Sequence, residues 1–186
     1  MIVAVVGSGG KTTLIKKLAS QYYSEGKTVF VTTTTHMFIE GDTLLTDDAE
    51  RILQALKKNG YVMAGIPEGE KIKTLSQETY EAVCSHADVV LVEADGSKHM
   101  PLKYPNDSEP VIPENTDEII VVWGPHGLNR PANTVCHRLE LVCQCLEIDA
   151  TTLITKEHVH KLLEEGYLKP LQQKYPDARI RICPSL

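Results

Sequence analysis

A chain of 186 residues with 42% hydrophobic and 24% charged residues has the make-up of an ordinary globular domain, long enough to bury about 70% of the surface its unfolded form would expose. A formal charge of −6 without any Lys/Arg tract argues against a nucleic-acid partner, and apolar runs of about five residues fall far short of the ~20 needed to cross a bilayer. Five cysteines, an odd number without scaffold-like spacing, read as reduced thiols, and the start MIVAVVGSGGK, with no basic lead or cleavage site, implies a cytoplasmic protein.

Taken in order, the apolar run Ile2 to Val6 ends in glycines. Leu14, Ile15, Leu18, Ala19 and Tyr22 then recur as one helical face that Gly26 ends. KTVFVTTTT, Lys27 to Thr35, supplies a β-branched second strand. DDAERILQALKKNG predicts a helix with Asp47 and Asp48 as candidate caps and Gly60 as its stop. YVMAGI predicts a short strand, SQETYEAVCSHA a helix capped by Ser76, and VVLVEA and EIIVVWG two buried strands. Between the last two, residues 96–117 hold Pro101, Pro105, Pro110 and Pro113 and show no periodicity, as in long functional or disordered loops. In CHRLELVCQCLE, Cys143 and Cys145 would point to different faces of a helix, which suits small buried hydrophobes better than a metal pair. The stretch ATTLITKEHVHKLLEEGYLKPLQQKYPDARIRICPSL predicts a strand, a helix, a second Pro-started helix and a last strand near Ile180 to Cys183.

Apolar strands joined by helices predict an α/β fold: a three-layer α/β/α arrangement with a mostly parallel sheet, P-loop NTPase-like, as a single nucleotide-binding domain over residues 1–186 with a long Pro-rich loop at 96–117. In such sheets ligands bind beyond the carboxyl ends of the strands. Those ends read GSGGKTT, TTTTHM, EADGSK and GPHGLNR, all rich in Gly, Thr, acids and amides.

The first of them departs from the usual GxxxxGK(S/T) spacing, which would need a glycine where Val5 stands. A compact loop starting at Gly7 fits better, because Ile2 to Val6 are needed as the strand. Gly7, Ser8, Gly9, Gly10, Lys11, Thr12 and Thr13 are the candidate nucleotide-binding residues for ATP or GTP. Glycines let backbone N–H groups converge on an anion, the following helix adds its positive end, Lys11 can reach the β and γ phosphates, and the Thr12 hydroxyl suits Mg²⁺. In EADG, Glu93 and Asp95 share one side of an extended backbone, so one can hold the metal while the other orients water or substrate. Lys11, Glu93 and Asp95 are therefore the catalytic candidates, and Thr12, Glu93 and Asp95 the metal candidates. Thr34, Thr35 and His36 are substrate candidates at the second strand end. His99, His126, His158 and His160 have no partner spacing and read as solvent-exposed.

EADGSKHMPLK, EPVIP and CHRLEL, together with the GxGGKTT loop, resemble the YqeC family, described as accessory proteins of selenium-dependent hydroxylases. The resemblance runs from Ile2 to about Glu140, with Leu139 where the family pattern has proline. Over Gly7 to Thr13 alone, the short loop also resembles the ATP loop of the Mur ligases. Family resemblance implies a role in maturing selenium-dependent molybdenum hydroxylases, through the molybdenum cofactor or its selenium ligand, with the hydroxylase or that cofactor as partner. Residue chemistry alone presents no selenium or molybdenum site. It does present Lys98, Lys103, Arg130 and Arg138 as cations near the ligand edge, suited to an anionic substrate or a transferring phosphoryl group, with His137 of the HRLE stretch as a further substrate candidate. Three uses of the loop stay open: NTP hydrolysis in enzyme maturation, a small-molecule kinase or ligase acting on an anionic substrate, and a non-catalytic partner or metallochaperone that nucleotide only stabilises. Oligomeric state is not legible.

Overall fold

The computed structural model describes residues 1–96 and 99–185. Its elements, in chain order, are β1 (Ile2–Gly7), α1 (Lys11–Ser24), β2 (Val29–Thr33), β3 (His36–Phe38), β4 (Leu44–Leu45), α2 (Ala49–Asn59), β5 (Tyr61–Glu68), β6 (Lys71–Lys73), α3 (Gln77–Cys84), β7 (Val89–Glu93), β8 (Leu102–Lys103), β9 (Glu118–Trp123), α4 (Ala132–Val135), β10 (Cys136–His137), α5 (Leu139–Leu146), α6 (Lys156–Leu163), α7 (Lys169–Lys174) and β11 (Arg179–Pro184). The main sheet runs β11-β9-β1-β7-β2-β5-β6-β3, with β4 also on β5. From β11 to β5 every pairing is parallel, and only β5–β6 and β6–β3 are antiparallel. This is an α/β fold with a mostly parallel mixed sheet flanked by helices.

The apolar strands fill both faces of that sheet. Along β1, Val3 and Val5 pack with Ile15 and Ala19 of α1, whereas Ala4 and Val6 face the opposite core with Ile52 and Leu56 of α2, Val142 of α5 and Val159 of α6. Capping chemistry sets helix starts. Asp48 accepts from the N–H groups of Glu50 and Arg51 and starts α2, while Asp47 accepts from the N–H and hydroxyl of Ser76, itself the N-cap of α3.

Five expectations differ. The Thr-rich second strand stops at Thr33, where the Thr33 hydroxyl accepts from the Thr35 N–H and turns the chain. Residues His36–Phe38 then form β3, paired with the unexpected β6. ATTLI is not a sheet strand: Leu153 makes only an isolated bridge to Pro131, and Ile154 is held by backbone bonds to Arg130 and Asn129. The two C-terminal helices are joined without a break through a π-helical turn, Glu164–Leu168. Finally, residues 96–117 are anchored where they are described. Pro101, Leu102, Lys103, Pro105 and Ile112 are buried, and Val111 N–H donates to the Ala94 carbonyl. Among the described residues no helix is long and apolar enough to cross a membrane.

Candidate functional site

β1 and β7 are direct neighbours with Val5 opposite Glu93, so the glycine loop and the EADG acids leave the sheet side by side. β1 connects through α1 to β2, two places away, with β7 between them and β9 on the other side of β1. The strand order therefore reverses at β1, and a crevice opens at its carboxyl end. Two positions there require glycine. Gly7 has φ +93° and a Cβ would lie 2.1 Å from the Val122 carbonyl oxygen; Gly9 has φ +73° with the backbones of Gly124 and Pro101 at 2.9 Å. The Ser8 N–H donates to Val122 O at 2.8 Å and its hydroxyl to Pro101 O at 3.0 Å, so this side chain is turned into the protein. Past the glycines, α1 starts without a side-chain cap or an acidic residue in its first turn among the described residues. Its positive end is thus directed at the crevice, an arrangement that favours an anion.

The two acids of EADG occupy different surroundings. Glu93 accepts from the Thr12 hydroxyl at 2.9 Å, and its other oxygen lies 3.9 Å from Lys11 Nζ. Burial raises the Glu93 pKa above the ordinary carboxylate value, opposed by the Lys11 charge and the Thr12 hydrogen bond. Asp95 is fully buried. Its Oδ1 pairs with Lys11 Nζ at 3.1 Å, outside hydrogen-bond alignment. Its Oδ2 accepts from Gly7 N–H at 2.9 Å and from the Tyr167 hydroxyl at 3.3 Å, and lies 3.0 Å from Lys103 Nζ. Lys11 also donates to the Gly7 carbonyl at 3.0 Å.

Behind Asp95 the charges continue. Lys103 donates to Glu109 at 2.7 Å and to the Gly96 carbonyl; Arg138 donates to the same Glu109 oxygen at 2.7 Å and to the Tyr104 carbonyl at 3.4 Å. Lys11, Asp95, Lys103, Glu109 and Arg138 thus alternate in sign from the glycine loop to α5. Burial opposes ionisation of Glu109, but hydrogen bonds and charge from Lys103 and Arg138 outweigh it and hold its pKa below the ordinary value. For Tyr167, burial and then the Asp95 charge push the phenol pKa well up, which keeps it a neutral donor.

A cleft of about 730 Å³ opens over the loop. Among the sequence candidates, Gly9, Gly10, Lys11, Thr12, Thr13, Thr35, His36, Glu93, His137 and Arg138 line it. Gly7, Ser8 and Asp95 support it from beneath. Thr34 donates to the Val111 carbonyl at 2.6 Å, Lys103 is enclosed by its ion pairs, and the exposed Arg130 is not among the cleft's lining residues. Lys98 lies outside the described residues. His99 and His126 are exposed as expected, yet both line the cleft; His158 instead closes a capping box on Thr155, and His160 is on the surface beside Glu164. Sequence reasoning gave no role to Glu109, Tyr167, Phe38 or Lys71. Glu109 stands in EPVIP and was within reach of motif reasoning; Tyr167 sits in the π-turn and has no local signal.

The donors fit a hard cation only in part. Among the described residues no three His, Cys, Asp or Glu side chains converge as a metal centre. Thr12 and Glu93 bring two hard oxygen donors together at the lip of the loop, a pair that could hold Mg²⁺ taking its remaining ligands from phosphates and water. The cysteines are all free, Cys136 buried and the other four partly buried.

A family model described as "YqeC protein" matches residues 3–140 of the chain. The "Uncharacterized protein YqeC" of Escherichia coli (strain K12) is 36% identical over 149 residues, covering 72% of this chain and 55% of that protein. The chain spans about half the length of this curated relative. No solved structure matches it.

Proposed function

The chain belongs to the YqeC family, and from that premise and the loop geometry we propose that it is a P-loop NTPase-like protein that binds ATP or GTP with Mg²⁺ and acts as an accessory factor in the maturation of selenium-dependent molybdenum hydroxylases. One observation carries the nucleotide part: the Thr12 hydroxyl meets the Glu93 carboxylate at 2.9 Å, joining the residue after the loop lysine to the acid on the adjacent strand. That juxtaposition is what a Mg²⁺–phosphate site needs, because metal and phosphate must be held from the loop and from the neighbouring strand together. The maturation role rests on the family resemblance alone.

Each residue then has a task. Thr12 and Glu93 hold Mg²⁺, which neutralises phosphate charge when bound. Residues 9–13 receive the phosphates at the start of α1, and Lys11, held at the cleft floor by Asp95 and Gly7, places its positive charge beside them. Asp95 positions rather than ligates, because its two oxygens already meet Lys11, Lys103, Tyr167 and the Gly7 N–H.

Thermal unfolding with ATP, GTP and Mg²⁺ tests this reading. At least one nucleotide should raise the transition temperature in a Mg²⁺-dependent manner, and Lys11→Ala should abolish the shift. No protection by either nucleotide would overturn it.

A further inference from the structure

The cleft extends past the phosphate loop, and part of its wall comes from two separate segments: His126 in the 3₁₀ turn after β9, and the consecutive His137 and Arg138 where β10 passes into α5. Glu109 joins Arg138 to Lys103 of the buried ion chain. We propose that this wall is a second oxyanion subsite, which binds the carboxylate or phosphate of a second substrate beside the nucleotide. The proposal rests on the nucleotide-binding reading of the same cleft.

Three observations carry it. First, the protein as a whole is acidic, at −6, yet four of its seven histidines, His36, His99, His126 and His137, line this one cleft together with Lys11, Lys71 and Arg138. Among the described residues the acids lining it are Glu40, Glu93 and Glu109. Glu40 is paired with Lys16, and Glu109 with Lys103 and Arg138, while Glu93 lies against Thr12 of the loop, so the wall at Arg138 offers an anion donors instead of repulsion.

Second, Arg138 is only partly used. Among the described residues it donates to Glu109 and to the Tyr104 carbonyl, two of the five N–H donors of a guanidinium fork built for oxyanions. Lys103 holds the same Glu109 oxygen, so an anion that draws Arg138 away does not leave Glu109 as an unpaired charge. Third, Arg138 has φ +59°, a left-handed conformation that is strained for a non-glycine residue and concentrates at functional sites. Another such residue, His99 with φ +61°, lines the same cleft.

The test is calorimetric titration of inorganic phosphate into the full chain saturated with Mg²⁺ and a non-hydrolysable ATP analogue, so that the loop is already filled. Wild-type protein should bind phosphate saturably. Arg138→Gln should weaken it about tenfold or more, as expected for loss of a charge-assisted hydrogen bond, and His126→Gln by a smaller factor. Since His126 is exposed, that variant keeps the fold and guards against Arg138→Gln acting through instability. No saturable binding, or binding unchanged in both variants, overturns the proposal, and so would an adventitious response that both variants share with wild type. Failure of the analogue to bind strikes the nucleotide reading instead. In that case phosphate is titrated into free protein, where loss of binding in Lys11→Ala alone would place the anion in the loop and overturn the second subsite.

Discussion

The two sides of the glycine loop differ in how much freedom they keep. Beneath it, Asp95 is shut away from solvent and tied to Gly7, Lys11, Lys103 and Tyr167. Above it, Glu93 has the Thr12 hydroxyl and a distant Lys11 as partners and faces the cleft. Two acids only two residues apart therefore have opposite uses. The inner one meets a charge or a donor at both oxygens and fixes the loop and Lys11 in place; the outer one has fewer partners and borders the cleft. A buried charge without full pairing is expensive, so the inner network is a structural commitment, whereas the outer acid, buried with fewer partners, is pushed toward its neutral form.

Removing the inner acid should give the largest effect. Asp95→Asn keeps the shape but leaves Lys11 and Lys103 facing a neutral amide, and removing one member of a buried ion pair costs about 3–5 kcal/mol. Urea unfolding should register a loss of that order, and a loss below ~1 kcal/mol would show that Asp95 is not the anchor of the loop. Next in size is Tyr167→Phe. It deletes one hydrogen bond to Asp95 while keeping the ring in the core, for about 1 kcal/mol in the same assay. Because the Gly7 N–H and two lysines still hold Asp95, nucleotide protection should survive in Tyr167→Phe, whereas in Asp95→Asn it should fall together with stability.

The same contrast explains what could be read from the chain beforehand. The outer site was legible because it is written locally: strand, glycines, GKTT and a strand ending in Glu93 each announce themselves through spacing and periodicity. The alternation of apolar strands with helices likewise announced a parallel sheet. The inner network was hidden because its members are brought together by tertiary packing. Tyr167 reaches Asp95 across 72 residues from a π-turn, and Arg138 reaches Glu109 across 29. Proline content made residues 96–117 read as a long functional or disordered loop, but prolines exclude only regular structure, not burial, and Leu102 and Ile112 enter the core. The β3–β6 pairing was missed for a different reason: strands of three residues are too short for periodicity to show.

The smallest effect on stability should come from the outer acid, and its pH dependence separates the two roles. In the folded protein Glu93 holds its proton to a higher pH than an ordinary carboxyl, chiefly because it is buried. The folded state therefore binds more protons than the unfolded one across that window. Its contribution to stability is fully present below the ordinary carboxylate range and is lost as pH rises through the raised pKa. Glu93→Gln removes a charge that burial disfavours, so stability near pH 7 should change by less than ~1 kcal/mol in either direction, and the slope just above the ordinary carboxylate range should flatten. Mg²⁺ protection has the opposite sign, because the metal needs the carboxylate. In wild type the Mg²⁺-dependent part of the nucleotide shift should fade as pH drops, at a pH above the ordinary carboxylate range; in Glu93→Gln it should be absent throughout. If the variant retains full Mg²⁺-dependent protection, the cation is held elsewhere and Glu93 is not its ligand.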